Sequence, residues 1–196
     1  GQARFRQSRA RVARNMDAAE ITEDALLGGR LRIRQPARGY RVNIDTLLLA
    51  AAVEVRDGAR LMEAGCGVGA ALLSVAARNE NVTLLGVERD QNIASLASEN
   101  VAMNAMSARV EIAIGDALDK RAPWGVFDGV FTNPPFDQEG EGRAPAEARR
   151  HAHIADASLD EWIAALADRL TGGGALTMIH RATKTPEILS ALEGRL

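Results

Sequence analysis

From residue 60 onward the chain alternates short apolar runs with longer amphipathic stretches. Positions 60–64, 82–87, 110–114, 126–131 and 175–179 are rich in aliphatic and β-branched residues over only five or six positions, as buried strands are. Between them, 70–78, 92–104, 159–170 and the stretch from Pro186 to the end read as helices. Strands alternating with helices predict an α/β fold: a Rossmann-like, doubly wound, mostly parallel sheet in a three-layer α/β/α arrangement. Ligands on such sheets bind beyond the carboxyl ends of the strands, where the strand order reverses. Upstream, Leu31-Arg32-Ile33-Arg34 alternates apolar and basic positions, as a strand with one buried face does, and Pro36 to Gly39 break it. Asp45 precedes Thr46 and a helix-forming run at 47–53, so it reads as an N-cap. The polar, glycine-containing stretch 137–150 reads as a long loop.

Composition narrows the class. A chain of 196 residues, 46% hydrophobic and 26% charged, suits one globular domain. No apolar run approaches the ~20 residues of a membrane span, and the opening residues are arginine-rich without an apolar segment behind them. The single cysteine, Cys66, has no internal disulfide partner. These features predict a cytoplasmic protein with no membrane contact, and no metal site is expected. The net charge of −2 conceals an asymmetry: ten arginines stand against four acids in residues 1–41, leaving an acidic remainder. The expected organisation is a basic arm, 1–21, before a catalytic domain, 22–196. Guanidinium groups pair with phosphate oxygens in a two-pronged geometry, so Arg30, Arg32, Arg34, Arg38 and Arg41 are candidate contacts to a polyanion, against the plainer reading of a solvated face.

Four strand ends carry the candidate chemistry. The first runs into Glu63-Ala64-Gly65-Cys66-Gly67-Val68-Gly69-Ala70 and then a helix. Such glycines allow positive φ and close approach of a ligand; the spacing also satisfies the dinucleotide pattern, and a simple turn remains an alternative. Glu88 ends the second strand, where a carboxylate can accept from both hydroxyls of a ribose. Gly115-Asp116-Ala117 ends the third, and Asp116 suits an adenine amine or a turn. The fourth ends in Thr132-Asn133-Pro134-Pro135-Phe136. Two prolines remove two backbone donors and turn the chain out of the sheet. An NH₂ group conjugated to a ring is a poor nucleophile. If the Asn133 oxygen and the Pro134 carbonyl each accept one of its hydrogens, its lone pair is aimed for in-line attack, and positioning supplies much of the catalysis. Phe136 offers a stacking face, worth ~1–3 kcal/mol per base.

In order and spacing these motifs resemble those of class I S-adenosylmethionine-dependent methyltransferases of the small-domain type, from about residue 22 to the C-terminus. With Leu27-Gly28-Gly29-Arg30-Leu31 and Gly39-Tyr40-Arg41-Val42-Asn43-Ile44-Asp45, the chain looks like the tRNA(Val) adenine-N6 methyltransferase family. The resemblance implies S-adenosyl-L-methionine as cofactor and tRNA as partner. It further implies that Glu63 and the Gly65, Cys66, Gly67, Gly69 loop hold the methionine end, Glu88 the ribose, Asp116 the adenine, and Asn133 with Pro134 the target amine, with Arg89, Ala117 and Asn133 also among the cofactor-binding residues. Tyr40 and Asp45 would border the pocket. Many family members carry tyrosine where this chain has Phe136, which it shares with some rRNA guanine-N2 methyltransferases. Protein glutamine-N5 methylation presents the same NH₂ geometry. A nicotinamide-dependent dehydrogenase and a non-catalytic RNA-binding module are the readings from other classes. Arg149, Arg150 and His151, after the polar loop, are further candidate RNA contacts. The family fold ends in an antiparallel strand pair, and this chain stops at Leu196 after its last expected helix, so that pair is expected to be missing.

Overall fold

A computed structural model of the chain describes residues 20–39, 41–134 and 157–195. Strands β1 (Ile21–Leu26) and β2 (Leu31–Pro36) pair antiparallel as a separate hairpin, closed by a 3₁₀ turn over Leu27–Gly29. There follow α1 (Ile44–Ala52), β3 (Arg60–Ala64), α2 (Ala70–Ala76), β4 (Thr83–Glu88), α3 (Gln91–Met103), β5 (Val110–Ile114), β6 (Phe127–Thr132), α4 (Leu159–Ala167), β7 (Leu170–Met178) and α5 (Thr185–Leu192). The main sheet has the order β5-β4-β3-β6-β7, and every neighbouring pair is parallel. The expected doubly wound sheet is therefore present.

Successive side chains of a strand point to opposite faces, and this sheet is covered on both. On one side Leu61 and Phe131 pack with Leu49 of α1, Leu72 and Leu73 of α2, Val101 of α3, and Leu31 and Ile33 of the hairpin. On the other, Met62, Ala64, Val87 and Val130 pack with Trp162 and Leu166 of α4. The alternation of Leu31-Arg32-Ile33-Arg34 is realised as read, with both apolar side chains buried and both arginines exposed. Among the described residues no helix is long and apolar enough to cross a membrane.

Three features differ from the sequence reading. Asp45 is not the N-cap: Asn43 takes the extended cap conformation, and its Oδ1 accepts the Thr46 N–H at 3.2 Å. Asn and Asp cap about equally well, and the helix begins at Ile44, which leaves Asp45 in the first turn, where a carboxylate still suits the helix dipole. Strand β1 was not expected, because Thr22, Glu23 and Asp24 make it polar; its acids are instead matched to arginines across the hairpin. Strand β7 begins at Leu170 rather than 175, passing through Gly172, Gly173 and Gly174 by an irregularity that sets Phe127 opposite Leu170 and Gly129 opposite Ala175. A glycine triplet reads as a loop, whereas here it is the bulged part of a strand.

Candidate active site at the strand tips

Register brings the four strand ends to one edge. Ala64 lies opposite both Val87 and Thr132, and Glu88 lies opposite Ile114. Gly65, Glu88, Gly115 and Asn133 therefore stand along one rim. From β3 the sheet grows through β4 and β5 on one side and through β6 and β7 on the other, so the order reverses between β3 and β6, which carry the glycine loop and Asn133. The Thr132 hydroxyl, fully buried, donates to the Ala64 carbonyl at 2.9 Å and pins these two tips together.

The glycine loop is held by β4. The Gly65 and Cys66 amides both donate to the Val87 carbonyl, at 2.9 and 3.0 Å. Gly65, Gly67 and Gly69 all have positive φ, which L side chains rarely adopt. At Gly67 this conformation aims the N–H at Glu88, whose Oε2 accepts it at 2.9 Å, while Oε1 accepts the Asp90 N–H at 2.8 Å. Glu88 is thus fixed by two backbone donors and keeps lone pairs for further hydrogen bonds. Among the described residues nothing lies within 4 Å of a Cβ built on Gly67, which leaves space beside the loop.

Glu63 is buried, and among the described residues its Oε2 has no hydrogen-bond partner. Desolvation raises its carboxyl well above the ordinary range, opposed by the Leu72 backbone amide and reinforced by the negative charge of Glu88. A lone carboxyl oxygen in such a position costs stability unless something pairs with it. Burial and the neighbouring carboxylates likewise raise the Cys66 thiol, which leaves it protonated and poorly nucleophilic. Cys66 serves as a small side chain lying against β4, where a Cβ on Gly86 would come within 2.8 Å of its Sγ.

At the next tip, Asp116 is exposed and its Oδ1 accepts the Leu118 N–H at 2.9 Å, while Ala117 is buried. Trp124 packs on Gly115, where an added Cβ would lie 2.8 Å from the ring, a wall that the sequence reading did not single out. Arg89 is exposed beside Glu88; Asn133 is half-buried and Pro134 buried. Tyr40, Pro135, Phe136, Arg149, Arg150 and His151 lie outside the described residues. The structure thus brings Glu63, Gly65, Cys66, Gly67, Gly69, Glu88, Arg89, Asp116, Ala117, Asn133 and Pro134 to one rim, and leaves the hairpin arginines on a separate element.

Most of those arginines already have partners. Arg32 and Arg34 both pair with Glu23, and Arg34 also faces Glu99 at 3.8 Å. Arg41 bridges Asp24, the Thr22 hydroxyl and the Pro36 carbonyl at 2.9–3.0 Å. Arg30 donates to the Leu27 carbonyl, and Arg38 is exposed. Among the described residues no group of three or more His, Cys, Asp or Glu side chains is placed to hold a metal ion.

Residues 39–195 match the family model of the methyltransferase small domain. The chain belongs to the methyltransferase small domain family. Similar curated proteins include a tRNA1(Val) (adenine(37)-N6)-methyltransferase of Actinobacillus succinogenes, 28% identical over 76% of this chain and 64% of that protein. One of the same description from Aeromonas salmonicida is 31% identical over 76% of this chain and 63% of that protein. The chain thus spans just under two thirds of the length of these two relatives. Among solved structures, a predicted O-methyltransferase of Agrobacterium tumefaciens superposes with a TM-score of 0.58 at 28% identity, over 76% of this chain and 66% of that one. The T. thermophilus 16S rRNA N2 G1207 methyltransferase, solved with AdoMet and guanosine, superposes with a TM-score of 0.65 at 20% identity, over 88% of this chain and 45% of that one, a likeness of fold. The sheet is the Rossmann-like sheet of S-adenosylmethionine-dependent methyltransferases.

Proposed function

We propose that this chain is the catalytic domain of an S-adenosylmethionine-dependent N-methyltransferase whose acceptor is the exocyclic N6 amine of an adenine in RNA, in a tRNA. The observation that carries the reading is the juxtaposition, across the switch between β3 and β6, of a glycine loop braced by Glu88 and the Asn133-Pro134 exit pinned by Thr132. The resident residues fit the cofactor. The open space beside Gly67 admits it, the unpartnered Glu63 oxygen suits its ammonium group, and Glu88 has lone pairs left for ribose hydroxyls. When bound, S-adenosylmethionine supplies a methyl group on a sulfonium, an electrophile that needs no metal.

What the chain must do is hold both reactants in line. Glu63 and the glycine loop are assigned the methionine end, Glu88 and Arg89 the ribose, and Asp116 and Ala117 the adenine ring. Asn133 Oδ1 and the Pro134 carbonyl accept the two amine hydrogens, which pulls the nitrogen towards tetrahedral geometry and frees its lone pair for attack. The amine then loses one proton to solvent, so no strong base is required at the site. Alignment of this kind accounts for several orders of magnitude in rate. Phe136 is assigned the stacking of the target base, with Tyr40 and Asp45 at the pocket border. Arg30, Arg38, Arg149, Arg150 and His151 are assigned phosphate contacts. The relatives named as tRNA adenine-N6 methyltransferases support the choice of base and RNA.

The test is transfer of a labelled methyl group to total tRNA and rRNA, followed by digestion to nucleosides. N6-methyladenosine from tRNA is expected, and Asn133→Ala should lower the rate by about 10²-fold or more while S-adenosylhomocysteine affinity changes little. Label in N2-methylguanosine from rRNA would move the acceptor, and undiminished transfer by Asn133→Ala would remove the mechanism.

A further inference from the structure

One buried side chain ties the arginine hairpin to the glycine loop. Helix α3 presents Asn100, and its C-cap residue Asn104, towards β2. Four residues advance a helix by about 6 Å and two residues advance a strand by about 6.6–6.8 Å, so two amides four apart, one in the last turn of α3 and one at its C-cap, can keep pace with alternate peptides of β2. They do so. Asn104 Oδ1 accepts the Arg32 N–H at 2.9 Å and its Nδ2 donates to the Arg32 carbonyl at 2.7 Å. Asn100 Oδ1 accepts the Arg34 N–H at 2.8 Å and its Nδ2 donates to the Arg34 carbonyl at 2.9 Å. The two side chains thus act as a neighbouring strand would, satisfying an edge of β2 that β1 does not.

The two asparagines differ in where the remaining amide hydrogen goes. Asn104 returns it to its own helix, at the Asn100 carbonyl, 2.8 Å away. Asn100 sends it to the carbonyl of Val68, 2.9 Å away, between Gly67 and Gly69. Asn100 is fully buried, and both its amide hydrogens and its oxygen are used. Fixing the Val68 carbonyl fixes the Val68–Gly69 peptide, in the same short loop as the Gly67 N–H that braces Glu88.

We propose that Asn100 is a positioning residue that couples the hairpin to the glycine loop, so that a nucleoside ligand at the loop stabilises the docked hairpin and a docked hairpin tightens the loop on its ligand. This rests on the methyltransferase reading of the loop. The coupling follows from the shared amide: when a ligand orders the Val68 peptide, the cost of holding Asn100 in the rotamer that also grips Arg34 has already been met, and linkage makes the effect reciprocal. It joins the proposed cofactor site to the element that carries Arg30, Arg32 and Arg34.

The measurement is backbone hydrogen exchange at Arg32 and Arg34 in the full chain, with and without saturating S-adenosylhomocysteine, in the wild type, Asn104→Ala and Asn100→Ala. In the wild type the ligand should slow exchange at both amides by about fivefold or more, the lower end of ordinary coupling. In Asn104→Ala the hairpin loosens, yet the ligand still slows exchange at Arg34. In Asn100→Ala the ligand binds about tenfold more weakly, and at saturation leaves both rates unchanged. A residue that merely stabilised the fold would alter basal exchange without altering its response to ligand. Equal protection in Asn100→Ala would overturn the proposal. So would a wild-type hairpin indifferent to bound ligand, a result independent of whether any variant folds. Failure of the wild type to bind S-adenosylhomocysteine at all would overturn the methyltransferase reading and this proposal with it.

Discussion

Glu63 holds a proton in the folded chain at pH values where an unfolded chain has released it, because burial disfavours the charged form. The sign of the linkage follows. The folded state binds more protons above the ordinary glutamate range, so the contribution of Glu63 is full below that range and is lost as pH rises towards the folded value. Glu63→Gln should therefore gain stability relative to the wild type as pH rises from about 4.5 towards neutrality, measured by urea denaturation at a series of pH values; parallel curves would contradict it. If the ammonium of S-adenosylhomocysteine pairs with this carboxyl, binding draws the proton off. Calorimetric heats should then depend on the buffer's ionisation enthalpy in the wild type and not in Glu63→Gln. The sequence exposed Glu63 by its place at the head of the glycine motif, whereas its missing hydrogen bond emerges only when the chain is folded around it. Asn100 was illegible for a related reason: two of its partners lie 66 and 32 residues away in the chain, and no local pattern marks them.

At the level of elements, the two ways of starting α1 make opposite predictions. Asn43→Ala should cost about 1 kcal/mol, the usual value of an N-cap, while Asp45→Ala should cost only the dipole contribution, about 0.3–1 kcal/mol. Thermal unfolding of both variants decides between them. The close approach of the glycine loop to β4 makes Gly86 equally testable. A Cβ there would meet Cys66 Sγ and Leu72 Cδ2 at 2.8 Å and Ile112 Cδ1 at 2.9 Å, so Gly86→Ala should cost about 1–3 kcal/mol through overpacking and disturb the loop that Cys66 belongs to. The central strand β3 was legible because a buried parallel strand is a short continuous apolar run, and it begins and ends where the pattern places it, as does the edge strand β5. Strand β1 was not, since its pairing depends on Glu23 and Asp24 meeting Arg32, Arg34 and Arg41 across the hairpin.

At the scale of the whole molecule, the hairpin packs Leu31 and Ile33 into the core and leaves Arg32 and Arg34 outside, held by exposed ion pairs to Glu23. Such pairs are worth about 0–1 kcal/mol each, little enough for RNA phosphates to compete. If Arg30 and Arg38 contact phosphate, replacing either with alanine should lessen the slope of log affinity against log salt for tRNA by about 0.7–0.9, read from binding isotherms at several salt concentrations; an unchanged slope places that residue off the interface. The order of the sheet determines where the reactants meet. A crystal structure of the chain with S-adenosylhomocysteine tests it most directly. The ligand should lie across the tips of β3 and β4, its ribose on Glu88, its amino-acid end beside Glu63 and Gly67, and its sulfur facing Asn133. A ligand bound anywhere else, or turned so that its sulfur faces away from Asn133, would contradict it.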